Sequence, residues 1–190
     1  INGLGGVGFW ALLSAIAIPT TVIAVDPDFD KRALALSLGA SHAINPMEGD
    51  LLQQVHALYP SGVDAAIDSS GTTKGIEAAF AAVRKHGGSL IFASHPPTGD
   101  RIQIEPHDLI EGKTIRGSWG GASRPDRDIP KLARAMSALA VSLQFLVPDV
   151  YPLNNVNQAL TDLEMHRTMR PVLATTEKAW TPDRKAGKPT

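Results

Sequence analysis

No cysteine occurs anywhere in this 190-residue chain. A disulfide framework and a thiolate metal site are therefore excluded within it, and a reducing, cytoplasmic setting is the expectation. Net charge is also missing: the formal balance is −1, with charged residues at 19%. Nucleic acid and an anionic membrane surface both require a clustered positive excess, so neither is an expected partner. No apolar run is long enough to span a bilayer, since the longest mainly apolar stretch, Phe9 to Ile18, is interrupted by Ser14 and reads as a buried helix. Hydrophobic residues at 43% give the profile of a globular chain with enough apolar surface for one core.

What is present begins at once. Gly3-Leu4-Gly5-Gly6-Val7-Gly8 is a GxGxxG run, followed by the apolar helix and by Asp26 at the end of an apolar strand. Gly3 suits the tight turn out of a strand, Gly5 a close approach of backbone to a pyrophosphate, and Gly8 close packing of the helix on the sheet. Backbone N–H groups at the helix start would bind the phosphates, aided by the helix dipole. Asp26 stands where a carboxylate accepts hydrogen bonds from the adenosine ribose and repels the extra phosphate of NADP, so NAD is the expected cofactor. Pro27 follows it, although Lys31 and Arg32 lie nearby. Only Ile1 and Asn2 precede the loop where a whole strand is needed, so the first strand is expected to be largely missing and the chain to be a fragment.

Strands and helices then alternate. Thr20 to Val25 reads as a strand buried on both faces, Asp30 as the cap of a helix ending at Gly39, and Ser41 to Asn45 as a third strand. Asp50 caps a helix through Leu58, Val63 to Asp68 is a strand, Thr73 to Lys85 a helix and Ser89 to Ala93 a strand. The pattern predicts an α/β fold with a doubly wound parallel sheet of the Rossmann type. Further on, Arg101 to Ile104 and Lys113 to Trp119 read as strands, Asp128 to Ala140 and Asn155 to Met165 as helices, and Pro171 to Ala174 as a last strand. One domain over 1–174 and a polar, mobile tail over 175–190 are expected.

Several pieces together carry a resemblance: the glycine run, Val25-Asp26 with Lys31, Asp68-Ser69-Ser70-Gly71, Gly112 to Gly121, and Arg170-Pro171-Val172-Leu173. From Gly3 to about Thr175 the chain resembles the cofactor domain of medium-chain, zinc-type alcohol dehydrogenases. The resemblance implies that Asp26 and Lys31 hold the adenosine ribose and that Gly5, Gly6 and Val7 hold the pyrophosphate through their backbone. It also places Ser70 at the cofactor, Ala93, Ser94 and Trp119 along the nicotinamide, and Arg170 on the pyrophosphate. A homodimer through 101–119 and a small alcohol or aldehyde substrate are implied as well. The family's N-terminal domain carries the catalytic zinc and proton relay; this chain has no part of it, so it is expected to contribute no catalytic residue and no metal ligand.

Other readings stay open on the sequence: a zinc-free NADPH quinone or enoyl reductase of the same superfamily, a non-catalytic NAD-binding module, or a methyltransferase with a similar loop. The six histidines show no close ligand spacing and read as ordinary surface or loop residues, with His95 beside the nicotinamide segment the exception to test. Asp64 and Asp68 read as the two closing ends of a buried strand.

Overall fold

A computed structural model describes residues 1–138, 143–146 and 149–175. Contacts divide the chain into two compact units, Ile1–Ala140 and Val141–Thr190, so the domain expected over 1–174 spans both. The tail expected at 175–190 lies, from residue 176 on, outside the described residues.

The first unit alternates as expected: α1 (Gly6–Ile16), β1 (Ile23–Val25), α2 (Phe29–Leu38), β2 (His42–Ile44), α3 (Leu51–Leu58), β3 (Ala65–Asp68), α4 (Thr73–Ala82), β4 (Ser89–Phe92), α5 (Pro106–Ile110), β5 (Thr114–Gly117) and α6 (Pro125–Ala138). All named strand pairs are parallel, β1 with β2, β3 with β4 and β4 with β5. Between β1 and β3 the middle strand is reduced to a single bridged residue. Asn2 bridges Val25 on one side and Asp68 on the other, both in parallel. Its N–H donates to the Ile67 carbonyl and its carbonyl accepts from the Ser69 N–H, each at 2.8 Å. The resulting order, β2-β1-Asn2-β3-β4-β5, reverses direction across Asn2, which is the arrangement that opens a ligand crevice at the carboxyl ends of the strands. Toward the other end, the line of Ile1 and Asn2 continues as a cavity of about 430 Å³ lined by Thr20, Thr21, Val22 and Ile23 and by Val63, Ala65, Ala66 and Ile67.

Helix caps explain most boundaries. Asp28, not Asp30, caps α2: its side chain accepts from the Lys31 N–H, because the turn after Asp26 starts the helix two residues earlier than the apolar pattern suggested. Gly39 ends α2 at φ 115°, a left-handed conformation that L side chains resist. Asp50 and Thr72 cap α3 and α4 through the N–H groups of Gln53 and Gly75. Thr20 to Val22 stay outside β1, where no middle strand pairs with them. Arg101–Ile104 is not a strand: the Gln103 N–H donates to Glu77 Oε1 at 2.7 Å, and Ile102 and Ile104 pack on the apolar cluster of α4 and β4. Helix α5 was absent from the sequence reading because its five residues carry no full apolar period. The second unit contains β6 (Val150–Pro152), α7 (Val156–Glu164) and β7 (Val172–Ala174), with β6 and β7 parallel.

Lys113 shows how the β5 side is fixed. Its side chain is buried, with the ammonium donating to the Ala81 carbonyl at 3.2 Å, facing Asp108 Oδ1 at 3.2 Å and lying 5.3 Å from the Phe80 ring centre. Helix α4 ends without a glycine cap, so this cation supplies the donor for its last carbonyls. Lys113→Met should lower stability by about 2 kcal/mol, since Asp108 and the helix end lose a charged partner while Asp108 keeps some access to water. Thermal melting checks this, with a fall of roughly 4–8 °C expected for a chain of this size; an unchanged melting temperature would refute the capping role.

Candidate functional site

Three glycines of the opening loop have different physical reasons. Gly3 leaves the sheet at φ 85°, and a Cβ there would stand 2.7 Å from the Ser70 nitrogen. A Cβ on Gly8 would stand 1.8 Å from the Gly3 carbonyl oxygen, because α1 is packed directly on the turn. Gly5 differs: its backbone is extended, at φ −79°, and a Cβ would meet nothing within 4 Å. The space beside Gly5 is thus open to a ligand, not to the protein. Helix α1 starts without a side-chain cap and with no acidic residue in its first turn. Its geometry leaves the N–H groups of Gly6, Val7 and Gly8 without intrahelical acceptors, the first bond being Phe9 N–H to the Gly5 carbonyl. Uncapped donors, a positive dipole end and open space together fit a pyrophosphate.

Asp26 closes the turn beside this loop and is 5% exposed. One carboxylate oxygen accepts from the Leu4 N–H at 2.7 Å and the other from the Asp28 N–H at 2.9 Å. The carboxylate therefore shapes both loops, and each oxygen keeps a lone pair for a further donor such as a ribose hydroxyl. Arg32 donates through Nη1 to the carbonyls of Asp26 and Pro27, both at 2.8 Å, so a guanidinium stands at the same turn. Lys31 is half-buried, and its backbone N–H is held by Asp28.

At the ends of β3, β4 and β5 lie the other expected residues. Ser70 turns its hydroxyl toward Thr72, at 3.3 Å from Thr72 Oγ1. Ala93 follows β4, its N–H donating to the Asp68 carbonyl at 2.8 Å. Ser94 is buried, donates to the Asp68 carboxylate and accepts the Gly71 N–H at 3.2 Å, which leaves only its backbone for a ligand. Trp119 is 84% exposed and meets His95 edge-to-face with ring centres 4.7 Å apart. Arg170 is exposed and belongs to the second unit.

Asp64 and Asp68 close the two ends of β3 as expected, but in unlike settings. Asp64 is exposed and pairs with Arg84 at 2.6 Å, whereas Asp68 is fully buried and joins Asn2 Nδ2, at 2.7 Å, to Ser94. Sequence reasoning missed Asn2, whose Nδ2 also reaches the Gly75 carbonyl at 3.1 Å. The available signal was an acidic residue ending an apolar strand immediately before Ser-Ser-Gly. Among the described residues no group of His, Asp and Glu can hold a metal ion, and no helix is long and apolar enough to cross a membrane.

Comparison with known proteins agrees with this geometry. The family profile described as Zinc-binding dehydrogenase matches residues 6–138. The alcohol dehydrogenase class-2 isozyme 2 of Oryctolagus cuniculus is 33% identical over 176 residues, covering 91% of this chain and 46% of that protein. Among solved structures, an alcohol dehydrogenase zinc-binding domain protein from Burkholderia ambifaria superposes with a TM-score of 0.83 at 35% identity, over 90% of this chain and 46% of that one. Benzyl alcohol dehydrogenase from Acinetobacter calcoaceticus gives 0.82 at 31% identity, over 90% and 47%. The chain thus spans about half the length of the curated relative it matches.

Proposed function

The chain belongs to the zinc-binding dehydrogenase family, and from that premise we propose that it forms the cofactor-holding part of an NAD-dependent alcohol dehydrogenase. The observation that carries the reading is the uncapped start of α1 beside the open space at Gly5. The N–H groups of Gly6 and Val7 bind the pyrophosphate, with Gly3 and Gly8 setting the turn beneath it. Asp26 and Lys31 hold the adenosine ribose. The backbone of Ala93 and Ser94 lies along the nicotinamide, with Ser70 and Trp119 beside it. When bound, the nicotinamide supplies the hydride acceptor for an alcohol and the donor for an aldehyde or ketone.

The chain's own role is to bind and orient. It has no cysteine, and its described residues offer no metal ligand set, so they do not fit a zinc ion and no step is derived through one. Zinc and its proton relay, where they act, are held outside this chain. A homodimer formed through 101–119 would cover β5, whose free edge otherwise exposes strand hydrogen-bonding groups. The cysteine-free composition suits a cytoplasmic setting.

A second reading, NADP, is favoured by Arg32 at the Asp26 turn. Fluorescence titration with NADH and NADPH, on the chain and on Asp26→Ser, separates the two. We expect NADH to bind at least about tenfold more tightly, a difference of about 1.4 kcal/mol, and the preference to disappear in Asp26→Ser. Tighter binding of NADPH by the unaltered chain would reject the NAD assignment.

A further inference from the structure

Asp68 takes no part in the glycine loop or the ribose turn, yet it is fully buried at the crest where the sheet reverses direction. Burial of a carboxylate is costly unless its oxygens are well supplied with donors. Here the supply is neutral: the Asn2 amide at 2.7 Å on one oxygen and the Ser94 hydroxyl on the other. Ser94 spends its acceptor capacity on the Gly71 N–H, at 3.2 Å, so its proton is directed at Asp68. Neither partner is a cation. The carboxylate is therefore held by neutral dipoles, one of them the Ser94 hydroxyl, and Ala93, the residue before Ser94, donates its N–H to the Asp68 backbone carbonyl at 2.8 Å.

Open sheets of this kind take their ligands at that reversal, outside the carboxyl ends of the strands. A fixed charge in such a site acts more strongly on a neighbouring charge than it does in water. The oxidised nicotinamide ring carries one positive charge that the reduced ring lacks. We propose that Asp68 sets the redox preference of the site, its buried carboxylate favouring the oxidised, cationic dinucleotide over the reduced, neutral one. Asn2 and Ser94 act as positioning residues that hold the carboxylate at the carboxyl end of β3. The inference rests on the dinucleotide reading given above.

The test is calorimetric binding of NAD⁺, NADH and ADP-ribose to the whole chain and to Asp68→Asn. It is run at pH 8. In Asp68→Asn the ratio of the NAD⁺ to the NADH dissociation constant should rise about fivefold, while ADP-ribose, which has no ring, is unaffected. A purely structural role would weaken all three alike, and that result overturns the proposal. If Asp68→Asn does not fold, the unaltered chain carries the test. NAD⁺ should then bind about fivefold more tightly than benzamide adenine dinucleotide, its uncharged isostere, and equal affinities overturn the proposal. Binding of ADP-ribose without discrimination by ring charge removes this inference alone. Failure to bind ADP-ribose or either dinucleotide removes the dinucleotide reading and this inference with it.

Discussion

Gly8→Ala should leave most of the chain unfolded, while Gly5→Ala, three residues away, should leave the fold intact and abolish tight cofactor binding. The added methyl group is the same in both. At Gly8 it would lie 1.8 Å from the Gly3 carbonyl oxygen and 2.8 Å from the Gly3 carbonyl carbon, both backbone atoms of the turn on which α1 rests. Relief requires moving the helix away from the sheet, together with Phe9, Leu12 and Leu13, which are all fully buried. Such overpacking should cost more than about 3 kcal/mol, a large part of the total stability of an ordinary domain. At Gly5 the new methyl group meets no protein atom within 4 Å, and φ −79° is open to alanine. Stability should therefore hold or rise by about 0.5 kcal/mol through the loss of unfolded-state freedom. The methyl group then occupies the space assigned to the pyrophosphate, and NADH affinity should fall at least about tenfold, or 1.4 kcal/mol. Melting curves and NADH titrations on the pair check both halves; wild-type affinity in a folded Gly5→Ala protein would sink the phosphate assignment.

Phe80→Ala should remove about 4 kcal/mol, the other large effect. The ring is 2% exposed and packs with Ile76, Ala79, Val83 and Leu90, which join α4 to β4. Truncation leaves a cavity in a cluster that also holds Ala66, Phe92 and Ile115 from the three strands beneath. It also removes the ring beside the Lys113 ammonium, 5.3 Å from its centre, so the loss should not add to that of Lys113→Met. Denaturant unfolding of the two single variants and the double variant measures this. A loss under about 1 kcal/mol, or strict additivity, would show that α4 is not anchored through Phe80. Since β4 and β5 carry Ala93, Ser94 and Trp119, cofactor binding should weaken with the fold in this variant.

The glycine run was legible because its chemistry is local: a tight turn at Gly3, a helix after the loop and a carboxylate after an apolar strand follow from residue type and spacing, although α1 begins at Gly6, three residues before the apolar run from Phe9. The cap at Asp50 and the stop at Gly39 belong to the same class. Short strands were overextended, as at Thr20–Val22, because β propensity does not reveal whether a neighbouring strand exists to pair with. Asp26 was found by spacing, but its hold on the Leu4 and Asp28 N–H groups was not, since a carboxylate's partners depend on how the two loops meet.

By itself the sequence determined the alternation of strands and helices as far as β4, the Rossmann character of the sheet and the glycine loop, all consequences of short-range periodicity and backbone freedom. The tertiary structure decided the rest: that Ile1, Asn2 and Gly3 link the two halves of the sheet, that Gly5 faces open space while Gly8 faces backbone, and that Asp68 is buried between Asn2 and Ser94. Those facts join residues up to 92 positions apart, the span from Asn2 to Ser94. Hydrogen-bond satisfaction and close packing at such distances are properties of the assembled sheet, and no local pattern encodes them.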